Sequence, residues 1–313
     1  MAVDKVFYNQ SSESRLGWKP DWFGVKYNDE DLIVAVKLWQ KNLGIVADGM
    51  VGPMTYRRIW TEREATISNY QPQSPSYGYS SGSMCKANNY IVHNGVFLPI
   101  KWNKVVLWDD PNGFKIKSGN YYDNSGKEER RPNVFVNHWD VCLSSESCAN
   151  VLNRRGISVH FCIDNDGTIY QILDTQHGAW HASNSYGNRY GIGVEISNAY
   201  YIKYQDWYEK NGFGKRPVCT DSVVHGKKLK DHTDFYPVQI EALKALWEAV
   251  SVGIGIPLEC PKNPDGTLLR GLSNDVSKGR FNGFVNHYNY TKNKIDCANL
   301  DLITLLDEVK NSS

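Results

Sequence analysis

The chain has 313 residues, enough for two domains or for one large domain with an appendage. Its 35 basic and 34 acidic side chains leave a net charge of +1, so no overall field draws it to nucleic acid or to an anionic membrane. No stretch approaches the roughly 18 apolar residues of a membrane span. Specificity must therefore be local, and 10 Trp with 19 Tyr supply rings that suit flat ligands as well as core packing.

Met1 to Leu16 carries Asp4, Lys5, Glu13 and Arg15 and no apolar run, which predicts a chain without a secretory leader, held in the cytoplasm until something releases it. Asp29 or Asp31 can then cap a helix in which Ala35, Leu38, Trp39 and Leu43 form an apolar stripe and which Gly44 ends. Asp48-Gly49 marks a turn. Gly52-Pro53 opens a second short helix, with Ile59 and Trp60 reaching back to the first. Residues 69–84, rich in Ser, Pro, Gly and Tyr and without periodicity, read as a linker between a helical unit at 1–68 and a larger one at 85–313.

Beyond the linker, 90–99 and 104–108 read as hairpin strands, and the polar, turn-rich stretch after them makes 97–133 a surface insertion. A strand over 134–137 and a helix near 147–155 follow. Two apolar runs, 158–163 and 168–173, flank Asn165-Asp166-Gly167, a strong hairpin signal. A strand is expected at 192–196. Pro237 opens a helix with Ile240, Leu243, Leu246, Trp247 and Val250 at helical spacing, followed by a strand at 284–286 and a terminal helix at about 300–310. The expected fold is α/β, a mixed central sheet flanked by helices, preceded by a small all-helical N-terminal domain. Seven scattered cysteines without CxxC spacing argue against a disulfide framework, although Cys142 and Cys148 could pair in an oxidising setting.

Two of these strands end alike, in Val134-Phe135-Val136-Asn137-His138 and Gly283-Phe284-Val285-Asn286-His287. Each delivers an imidazole at its C-terminal end, and Lys294, Asp296 and Cys297 follow the second. Two histidines with one carboxylate or thiolate supply three protein ligands and leave the fourth position of a tetrahedral ion open, as catalytic zinc sites do. On the residues alone, Asp296 and Cys297 are both candidates for the third ligand.

Two family resemblances add to this reading. Residues 28–62, with Ala35-Val36-Lys37-Leu38-Trp39-Gln40, Gly44, Asp48-Gly49 and Gly52-Pro53-Met54-Thr55, resemble the small helical peptidoglycan-binding domain attached to many cell-wall hydrolases. Residues 88–310 resemble the zinc-dependent N-acetylmuramoyl-L-alanine amidases, whose fold is shared with peptidoglycan recognition proteins and several phage lysins. The landmarks are His138, the hairpin from Ser158 to Gly167, Ala179-Trp180-His181-Ala182, the strand Ile192-Gly193-Val194-Glu195-Ile196, His287 and Lys294-Ile295-Asp296. The resemblance implies zinc held by His138, His287 and Asp296, the last favoured over Cys297 by the Lys-x-ligand spacing. The family usually continues with Pro-Gly where this chain has Cys297-Ala298.

It further implies Glu195 as the acid–base residue and Lys294 as the cation for the oxyanion. His181, Trp180 and Tyr190 are substrate-binding candidates, with support of the zinc shell the alternative for His181, whereas His160 is expected to pack in the hairpin. The implied partner of this expected monomer is bacterial cell-wall peptidoglycan. The implied role is host lysis as a phage endolysin; a non-catalytic recognition protein, a bacterial autolysin or a muropeptide-recycling amidase is the alternative.

Overall fold

The computed structural model describes residues 3–67 and 89–312. Three helices come first: α1 (Lys5–Leu16), α2 (Glu30–Leu43) and α3 (Pro53–Thr66). Helix α1 has no sequence expectation behind it, because its buried side chains include Asn9 and Ser12 and so leave no apolar stripe to read; Asp4 caps one end and Gly17, at φ 76°, the other. Helix α2 is capped by Asp29 and closed by Gly44 as expected. Its buried face is Leu32, Ile33, Val36 and Gln40 rather than the expected stripe, and Leu38 is 60% exposed. The helix is turned because the Gln40 amide belongs to the interior. It donates to Asp48 Oδ1, the Met50 carbonyl and Thr55 Oγ1 and accepts from Gly49 N–H, locking the turn that leads into α3. The expected linker at 69–84 lies outside the described residues.

The rest of the chain is built on one mixed sheet. A tight hairpin joins β1 (Tyr90–His93) to β2 (Val96–Pro99), with Asn94 and Gly95 both at positive φ in its two-residue turn. The expected second hairpin strand is β3 (Val105–Leu107), but it does not pair with this hairpin: it is the edge strand of the central sheet. The chain continues through β4 (Tyr121–Tyr122), β5 (Val134–Trp139), α4 (Ser145–Arg155), β6 (Phe161–Ile163), β7 (Ile169–Gln171), β8 (Gly178–Ala179), α5 (Ser185–Tyr190) and β9 (Gly191–Ile196). Beyond β9 lie α6 (Gln205–Lys210), the short pairs β10 (Val218–Cys219) with β13 (His232–Thr233) and β11 (Val223–Val224) with β12 (Lys227–Lys228), then α7 (Pro237–Ile254), α8 (Asn274–Ser277), β14 (Gly283–Asn286) and α9 (Leu302–Ser312). The six-stranded sheet runs β14-β5-β9-β6-β7-β3, and only the β6–β7 hairpin within it is antiparallel.

Alternation along the strands gives the two faces of the sheet different tasks. Phe135 and Trp139 on β5, Ile192, Val194 and Ile196 on β9, and Phe284 on β14 enter one core with Leu243, Leu246, Trp247 and Val250 of α7 and Leu302, Leu306 and Val309 of α9. On the opposite face, Cys162 and Tyr170 meet Cys148, Val151 and Leu152 of α4. Leu16, Trp18, Leu32, Val36, Val51 and Tyr56 of the N-terminal unit belong to this same cluster.

The N-terminal unit is thus packed on the sheet domain through a common core. Polar contacts tie the join: Thr61 Oγ1 donates to the Val141 carbonyl at 2.7 Å, Trp60 Nε1 donates to Ser147 Oγ, and Ser147 Oγ donates to Glu64. Trp60, expected to reach back to the first helix, spends its indole N–H across this join.

Candidate active site

The alternation that fills the core leaves β9 with Gly191, Gly193 and Glu195 on its other face, and β5 with His138. His138 and Glu195 are partners in the parallel register, so both side chains rise from that face side by side. The pairing of Asn286 with Asn137 brings the next residue, His287, alongside His138, although 149 residues separate them. The loop after β14 returns Asp296 to the same point. His138 Nδ1 and His287 Nδ1 lie 2.8 Å apart, and Asp296 Oδ2 is 3.2 Å from the first and 2.9 Å from the second.

These three buried atoms fit a metal ion. A tetrahedral centre with bonds of about 2.0–2.2 Å sets its donors about 3.3–3.6 Å apart, wider than the present triangle. Two imidazole nitrogens facing each other and one carboxylate oxygen hold at most a proton or two among them, which leaves lone pairs directed at one point. Burial, and then the neighbouring His287, pushes the His138 pKa down; burial does the same to His287. Asp296 is raised by burial, but the His287 charge, hydrogen bonds from both imidazoles and Lys294 hold it well below the usual carboxylate range. Neutral imidazoles beside an ionised carboxylate are the protonation states a divalent ion requires.

Cys297 is not part of the group. Its side chain is fully buried in the core beneath α7 and α9, where burial drives its thiol pKa well up. The geometry therefore brings Asp296, of the two candidates, to the histidines. A second triad, Asp140, Cys142 and Cys148, is also buried and close together. Its carboxylate is already engaged by Cys142 N–H, Asn198 N–H and the Ser197 hydroxyl. Cys142, Cys148, Cys162, Cys219, Cys260 and Cys297 are free thiols.

His181 lies behind the triangle, with Nδ1 3.0 Å from His138 Nε2, the arrangement that fixes the orientation of a ligating imidazole. Gly193 makes room for it: a Cβ there would stand 2.8–2.9 Å from three atoms of the His181 ring. Burial, followed by the charge on His138, holds the His181 pKa well below its ordinary value. His160 packs in the interior as expected, accepting Gly193 N–H at Nδ1 and facing the His177 carbonyl with Nε2.

The triangle lies in a cleft of about 490 Å³ also lined by Trp180, His181, Glu195 and Lys294. Lys294 is half-buried, and burial lowers its pKa. Glu195, 5% exposed, receives Arg57 at 3.4 Å on Oε1, while Oε2 has no hydrogen-bond partner. Trp180 reaches the cleft with its indole N–H buried and unpartnered.

Tyr190 does not belong to the group. It is 42% exposed and stacks on Tyr186, away from the cleft lining, because it ends α5 just before β9 turns into the sheet. Among the cationic side chains of the cleft, Arg57, Arg58 and Arg155 had no sequence expectation. The first two come from α3, and nothing local in the sequence signals a helix side chain that docks against a strand 138 residues away.

Residues 128–269 match the family described as N-acetylmuramoyl-L-alanine amidase, and this part of the chain is a domain of that family. The match takes in His138, His181 and Glu195 and ends before His287, Lys294 and Asp296. Among solved structures, similarity extends to a mutant endolysin from Bacillus subtilis (17% identity, TM-score 0.35, 66% of this chain and 96% of that one). It also extends to the N-acetylmuramoyl-L-alanine amidase LysC from Clostridium intestinale (14%, TM-score 0.39, 66% and 97%) and to an AmpD derivative (16%, TM-score 0.35, 64% and 95%). No curated protein matches the sequence. Among the described residues no helix is long and apolar enough to cross a membrane.

Proposed function

We propose that the protein is a zinc-dependent peptidoglycan hydrolase that cuts the amide between N-acetylmuramic acid and the L-alanine of the stem peptide, and that it serves as a phage endolysin. The observation that carries this reading is the convergence of His138 Nδ1, His287 Nδ1 and Asp296 Oδ2 beside the Glu195 carboxylate, at the ends of adjacent strands in an amidase-family domain. Zinc held by these three residues would polarise the scissile carbonyl and lower the pKa of water toward about 7.

Glu195, whose Oε2 has no hydrogen-bond partner, would take the proton of the attacking water and pass it to the departing amine. Lys294, on the cleft wall, offers positive charge to the developing oxyanion. His181 holds the outer nitrogen of His138 and so fixes the ring that must face the metal. Trp180 offers an aromatic surface to a sugar or peptide. Residues 1–68 are assigned to wall binding on their sequence resemblance, 69–84 to the connection, and 85–313 to catalysis; the stretch 97–133, expected as a surface insertion, belongs to the domain itself, because it carries the edge strand β3 and the buried Val105, Val106 and Ile116.

Digestion of purified sacculi, with and without a chelator, tests the reading. New N-terminal alanine, abolished by the chelator and restored by zinc, is expected; new reducing sugar ends without free alanine amines would overturn it.

A further inference from the structure

Helix α3 forms a wall of the cleft, contributing Pro53, Met54, Arg57 and Arg58. With Arg155 and Lys294 the cleft carries four cationic side chains against the carboxylates of Glu195 and Asp296, and Asp296 is engaged with the histidines. The surplus is concentrated in two guanidinium groups. Arg57, whose side chain is 12% exposed, touches Glu195 through one terminal nitrogen at 3.4 Å, and its Nε has no hydrogen-bond partner. Arg155, at the end of α4, likewise has a buried Nε without a partner. Its pKa is pushed down to about 9 by burial and next by the charge of Arg57.

Arg58 is different, because it is spent on the Tyr201 hydroxyl and the Met54 carbonyl. Arg57, held by Glu195 at one terminal nitrogen only, and the half-buried Arg155 each keep a buried Nε without an acceptor, so two like charges stand close together with one long contact between them and an acid, a cost that an arriving anion would offset. The planar fork of arginine suits a carboxylate in particular.

We propose that Arg57 and Arg155 form a carboxylate-binding subsite of the cleft, filled by the acidic stem peptide of the substrate, so that the N-terminal unit takes part in substrate recognition at the catalytic centre. The proposal rests on the amidase reading for the identity of the peptide. It adds recognition at the cleft to the wall binding that the resemblance of residues 28–62 implies for this unit.

The test uses the full-length protein and two soluble muramyl dipeptides that differ only in whether the second residue carries a free α-carboxylate or its primary amide. Release of alanine amine gives kcat and KM for the unaltered protein and for Arg57→Gln, Arg155→Gln and Arg57→Lys. Calorimetry with the corresponding free dipeptides, which contain no scissile amide to muramic acid, gives Kd independently of turnover.

The unaltered protein is expected to favour the acidic form by about tenfold in both KM and Kd, the strength of one charge-assisted hydrogen bond. Arg155→Gln should erase that preference by weakening the acidic form alone, Arg57→Gln should erase it in KM and Kd whatever its effect on kcat through Glu195, and Arg57→Lys should retain part of it. The absence of any acid preference in the unaltered protein would overturn the proposal. So would variants that keep the preference unchanged, or an Arg57→Gln that lowers kcat equally on both substrates with KM intact, the signature of a residue that only holds Glu195. An acid preference in Kd without alanine release would overturn the amidase reading and leave the subsite standing.

Discussion

His138 and Glu195 stand side by side in register on neighbouring parallel strands, so the proposed ligand and the proposed base are fixed by the same backbone hydrogen bonds. Changing one side chain should leave the other in place. Glu195→Gln is therefore expected to keep stoichiometric zinc, read by elemental analysis, while kcat falls by about 10²–10⁴-fold, the usual worth of a positioned acid–base group. Loss of zinc together with activity would contradict the division of roles.

The third ligand can be separated from its neighbour in sequence. Asp296→Ala removes a donor from the triangle and is expected to abolish zinc binding at micromolar metal. Cys297→Ala removes a buried sulfur from the core and should retain zinc, at a cost of about 1–2 kcal/mol in stability. Zinc content and thermal melting of both variants check this, and the opposite pattern would assign the site to Cys297.

Gly193→Ala places a methyl group against the His181 ring. The ring must move, and the nitrogen that supports His138 moves with it. Metal affinity is expected to fall by about 10–100-fold, the range for loss of an outer-shell partner, with secondary structure unchanged by circular dichroism. Wild-type zinc affinity in this variant would exclude a supporting role for His181.

Titration of Glu64 predicts a pH-dependent join between the N-terminal helices and the sheet domain. Burial raises its pKa from 4.5 to about 7, against the hydrogen bonds from Ser147 and Trp60 that lower it. The folded state then binds a proton that the unfolded state releases near 4.5, so stability falls as pH rises from about 4.5 to 7 and stays lower above that. The loss attributable to this group is about 3 kcal/mol. Glu64→Gln should flatten this slope and raise stability at pH 8, measured by urea denaturation at pH 5 and pH 8; an unchanged slope would refute the assignment.

Much of the sheet was legible because β-branched runs bounded by turn residues can do little else, and the two His-ending strands announced a common site. The Gly193 and Glu195 face of β9 followed from alternation once the strand was recognised. The failures have separate physical causes. Helix α1 buries Asn9 and Ser12, so no apolar period marks it, and the face of α2 was misjudged because Gln40 is part of the interior. The Asn94-Gly95 turn was present in the sequence as a two-residue hairpin signal, but the longer run around it was read as a single strand. Tyr190 is an aromatic near the site in sequence, but the end of α5 directs it outward. Arg57 could not be read at all, since its partner depends on how two units dock.

The continuous core that joins Leu16, Trp18 and Tyr56 to Val151 and Leu152 bears on how such a protein could be recombined. Grafting another targeting head onto this chain by splicing at 69–84 would strip those apolar side chains of their cover and take Arg57 from its acid. A chimera that kept residues 1–67 in place and appended a new head outside them would preserve both. In this protein the natural seam for exchange does not coincide with the stretch of sequence that most resembles one.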